Sequence, residues 1–124
     1  MILTLSIVPA GNTTPREVSA ATDEARHALE RTRGVERALP QRVAAPEQAK
    51  GMVDALGKLA VTLAPTALKG ALQVLQTTLA GQPPTKILIE HKDTKFSFEF
   101  DPRKTSLADL VSAAERLRAA AEAA

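Results

Sequence analysis

Cysteine, tryptophan and tyrosine are absent from this 124-residue chain, and its aromatic side chains are three phenylalanines. Without thiols there is no disulfide, no thiolate metal ligand and no cysteine nucleophile, and a reducing compartment suits the chain, so a cytoplasmic location is expected. Charge of one sign is also lacking. The 16 basic and 14 acidic residues interleave and leave a formal charge of +2, so no basic stripe points to nucleic acid. Long hydrophobic runs are missing too: the longest, Leu59–Leu68 (LAVTLAPTAL), carries Pro65 and is far shorter than the roughly 20 residues of a spanning helix. The opening MILTLSIVPA has no positively charged start, so export through a signal sequence is not expected.

What is present is 44% apolar, dominated by Ala, Leu and Val. A core built from such residues relies on many small contacts between helices and sheet, which favours a layered α+β protein, and the length suits a single domain spanning 1–124. Ile2, Leu3, Leu5, Ile7 and Val8, stopped by Pro9 and Gly11, read as a first strand. Thr14 and Pro15 open a helix whose inner positions are Val18, Ala21, Ala25, Ala28 and Leu29, ending by Gly34. Val35–Ala45, with Pro40 inside and Pro46 beyond, suits a short edge strand.

From Gln48 to Leu79 the spacing predicts helix: Met52, Leu56, Leu59 and Leu63 make one stripe, and Leu68, Leu72, Leu75 and Leu79 another. Pro65 divides the stretch into two helices or one kinked helix. Beyond the breaker GQPP, KILIEH and KFSFEFD flank a tight connection at Asp93 and Thr94 and read as a β-hairpin. Ser106 caps a last helix with inner residues Leu107, Leu110, Val111, Ala114 and Leu117. The expected order is β-α-β-α-α-β-β-α, a small mixed sheet of about four strands with helices packed on one face.

The three phenylalanines, Phe96, Phe98 and Phe100, alternate in KFSFEF. An RNA-stacking strand would set basic and glycine residues among them, whereas here Ser97, Glu99 and Asp101 intervene and would repel phosphate. Core packing against Ile87 and Ile89 is the expectation, with an exposed protein-binding face as the remaining alternative. On that reading, removal of the Phe98 ring costs about 3–5 kcal/mol.

Catalytic chemistry is thinly supplied. His27 and His91 are the only histidines; His27 sits near Asp23 and Glu24 on a helix and His91 near Glu90 and Asp93 at a strand end, and an ordinary surface histidine explains each better than a metal site or an acid–base pair. None of the serines stands in a GxSxG elbow, and no P-loop or GxGxxG occurs. No catalytic residue, cofactor or metal is therefore assigned. The surplus of Leu and Ala makes Met52, Leu56, Leu59, Leu63, Leu68 and Leu72 the candidate partner-binding residues. The alternative is a membrane-active protein that inserts LAVTLAPTAL, anchored by Lys58 and Lys69.

Pro46, then Gly51 and Met52 opening GMVDALGKLAVTLAPTALKGALQVLQTTLAG with Gly57 inside it, then the hairpin KILIEHKDTKFSFEFD, resembles the effector-associated constant component domains of bacterial conflict systems. The resemblance spans about Val35 to Asp101. It implies a non-enzymatic adaptor encoded beside or fused to effectors, such as trypsin-like or caspase-like peptidases, and to NTPase sensors, with antiviral defence as its setting. The partner would then be a peptidase effector or an NTPase sensor, and possibly a second copy of the chain in an oligomer.

Overall fold

The computed structural model describes residues 1–44 and 52–123, with side chains for 1–41 and 57–123. Its elements in chain order are β1 (Ile2–Pro9), α1 (Pro15–Glu30), β2 (Val35–Ala44), β3 (Met52–Leu63), α2 (Leu68–Ala80), β4 (Thr85–His91), β5 (Phe96–Phe100) and α3 (Leu107–Ala123). The strands form one five-stranded sheet in the order β2-β3-β1-β4-β5. Every pairing is antiparallel, so the sheet has one strand more than expected and is not mixed. Up to β4 the path is the split βαβ arrangement of ferredoxin-like folds, with β5 and α3 added beyond it.

β1 occupies the middle of the sheet, where Leu5 pairs with Leu59 of β3 on one side and Ile89 of β4 on the other. Leu3, Leu5 and Ile7 point into the core together with Leu59, Val61, Leu63, Ile87 and Ile89. Against them lie Val18, Ala21, Ala25 and Leu29 of α1, Leu68, Ala71, Leu72, Leu75 and Leu79 of α2, and Leu110, Ala114 and Leu117 of α3. All three helices therefore cover the same face of the sheet, as expected. The small residues of α1 let that helix approach the strands closely, so packing is achieved with little aromatic area.

α1 begins as its sequence directs. Thr14 in extended conformation accepts a hydrogen bond from the Glu17 amide, the Glu17 carboxylate accepts from the Thr14 amide at 3.1 Å, and Pro15 fills the first helical position. α3 is capped by Ser106, whose Oγ accepts from the Asp109 amide at 3.2 Å.

The stretch Met52–Leu63 is a strand and not the expected helix. Leu59, Val61 and Leu63 are buried while Lys58, Ala60 and Thr62 take the opposite face, which is the two-residue period of a strand. Gly57 has φ +74, a left-handed conformation no helix interior accommodates, and a Cβ there would collide with the Ile7 carbonyl oxygen. Pro65 does not kink a helix. It follows the extended Ala64 (φ −71, ψ 143) and opens the short 3-10 turn Pro65–Ala67 that leads into α2, as the restriction on a residue preceding proline requires. Gln48, where the helix was expected to begin, and Pro46 and Gly51 lie outside the described residues.

The last hairpin has the expected register, with Ile87 opposite Phe100 and Ile89 opposite Phe98. Its connection is a 3-10 turn, Lys92–Thr94, closed by Lys95 in the left-handed region at φ 55. Phe100 is buried, and Phe96 and Phe98 are partly buried against the same cluster. The Phe98 ring lies 6.0 Å from Phe100, stacked, and 6.0 Å from Phe96, edge-on. The phenylalanines thus belong to the core side of the sheet.

Candidate protein-interaction face

Strand alternation sends every second side chain away from the helices. On β1 these are Ile2, Thr4, Ser6 and Val8; on β3, Lys58, Ala60 and Thr62; on β4, Lys86, Leu88 and Glu90. The edge strands add Arg37 and Leu39 from β2 and Ser97 and Glu99 from β5. Register arranges them in rows across the sheet: Leu39, Ala60, Thr4, Glu90 and Ser97 form one, and Lys58, Ser6, Leu88 and Glu99 another.

An antiparallel sheet with one solvated face ordinarily presents polar residues there. Here, of the four exposed large apolar residues among the described ones, three lie on this face: Ile2 (62% exposed), Leu39 (47%) and Val8 (42%). Half-buried Leu88 and Ala60 fill the space between. Charges of both signs border it: Arg37 and Lys58 stand on the β2–β3 side, and Lys86, Glu90 and Glu99 on the β4–β5 side, where Lys86 is 3.8 Å from Glu99. At the Ile2 end the face is notched by a concavity of about 460 Å³ lined by Met1, Ile2, Thr4, Lys92 and Asp93. Shape, exposed apolar area and flanking charges of both signs are what a protein partner uses, an apolar centre for affinity and charges for register.

The residues expected to bind a partner are placed elsewhere. Leu59, Leu63, Leu68 and Leu72 are no more than 2% exposed and form the layer between sheet and helices, so a partner reaches none of them in the folded chain. Met52 and Leu56 belong to β3 by their backbone, and their side chains lie outside the described set. LAVTLAPTAL, the segment considered for membrane insertion, is split among the end of β3, the 3-10 turn and the first residue of α2. Among the described residues no helix is long and apolar enough to cross a membrane.

The two histidines are not brought together. His27 is exposed on α1, where an open concavity of about 360 Å³ is lined by Glu24, His27, Glu30 and Arg31; all four come from one helix, so no second element supplies a facing group. His91 is not the surface histidine expected: it is only 5% exposed. Its Nδ1 lies 2.8 Å from Thr94 Oγ1, and its Nε2 is 4.0 Å from Asp93 Oδ2. The ring therefore ties the end of β4 to the turn that follows.

The open face escaped the sequence reading, although a signal was present. In β1, Ile2 and Val8 are apolar at the positions opposite in parity to Leu3, Leu5 and Ile7, so a strand covered by helices on one side carries apolar residues on both. No protein-family model matches the chain, and neither does any curated protein or solved structure.

Proposed function

We propose that this protein is a non-catalytic adaptor or regulatory domain of a bacterial conflict system. It couples an NTPase sensor to an effector such as a peptidase in the cytoplasm, and it works by protein contact through the open face of its sheet. The observation that carries this reading is the concentration of Ile2, Leu39 and Val8, three of the four exposed large apolar residues described, on that one face. The chemistry supports it as well. The titratable side chains near His27 come from a single helix, and His91 holds a turn.

The test is co-purification with the products of the adjacent open reading frames. Wild-type protein should retain a peptidase or NTPase encoded there. Ala60→Arg, which sets a long charged side chain in the middle of the open face, should release it while the thermal unfolding transition stays in place. Failure of the wild type to retain any of those products would sink the reading.

A further inference from the structure

We draw no further inference here: the strongest candidate, the open face of the sheet around Ile2, Val8 and Leu39, belongs to the site already described, and nothing in the structure shows what covers it.

Discussion

Gly57 and Phe100 show how single residues fix this fold. The positive φ of Gly57 lets β3 pass against the backbone of β1, where a Cβ would strike the Ile7 carbonyl oxygen and lie 3.1 Å from Val18 Cγ1. Gly57→Ala is therefore expected to cost about 1–3 kcal/mol from the backbone conformation alone, and more from the collision; urea unfolding followed by circular dichroism measures it. An unchanged midpoint would mean that β3 does not pass β1 in this way. Among the phenylalanines, burial sets the order. Phe100 is 3% exposed while Phe96 and Phe98 are only partly buried, so the cost of about 3–5 kcal/mol for deleting a buried ring belongs to Phe100→Ala. Phe98→Ala should cost clearly less, although it occupies the middle of the strand. That lowers the sequence-based expectation for Phe98, whose ring is only partly buried although it lies opposite buried Ile89.

At the scale of elements, α1 offers the clearest link between local sequence and stability. Its first turn is held by the reciprocal Thr14–Glu17 bonds, so Thr14→Ala should lose about 1 kcal/mol, as removal of a helix cap usually does, and Thr14→Ser should lose much less. A pair of equal losses would show that the threonine acts by packing instead. This helix was legible in advance because its cap, its proline and its alanine spacing all agree. β1, the β4–β5 hairpin and α3 were legible for the same reason. β3 was not, because Met52, Leu56, Leu59 and Leu63 happen to fall at helical intervals, while the alternation of Lys58, Leu59, Ala60, Val61, Thr62 and Leu63 is blurred by an alanine on the outer face. Tertiary pairing on both sides, with β1 and with β2, decides in favour of strand where local propensity is ambiguous. The same ambiguity misplaced the candidate site, since leucines read as helix surplus are the interior of a sheet-and-helix sandwich.

For the whole molecule, the question is whether the parts added to the split βαβ core, β5 and α3, melt with it or apart from it. The buried apolar residues form one continuous cluster that includes Phe100 of β5 and Leu110, Ala114 and Leu117 of α3. Tertiary ties to the neighbouring segments are also present: Gln76 Nε2 of α2 donates to the Thr105 carbonyl oxygen just before α3 at 2.7 Å, and the Thr105 hydroxyl accepts from the Asp101 amide at 3.0 Å. A helix joined in this way is expected to share one cooperative transition with the sheet. Leu117 is fully buried, so Leu117→Ala should cost about 2–5 kcal/mol, which for a chain of this size lowers the melting temperature by about 10 °C or more. The informative measurement uses two probes, because with no tryptophan or tyrosine fluorescence reports little: circular dichroism at the helical band, and the methyl resonances of Leu3 and Leu5, the core-facing leucines of β1. If the chain is one cooperative unit, both probes move together to the lower temperature. If instead the helical signal falls in two steps while the β1 methyls keep the wild-type midpoint, α3 is an appendage, and the core that positions the open face stands without it.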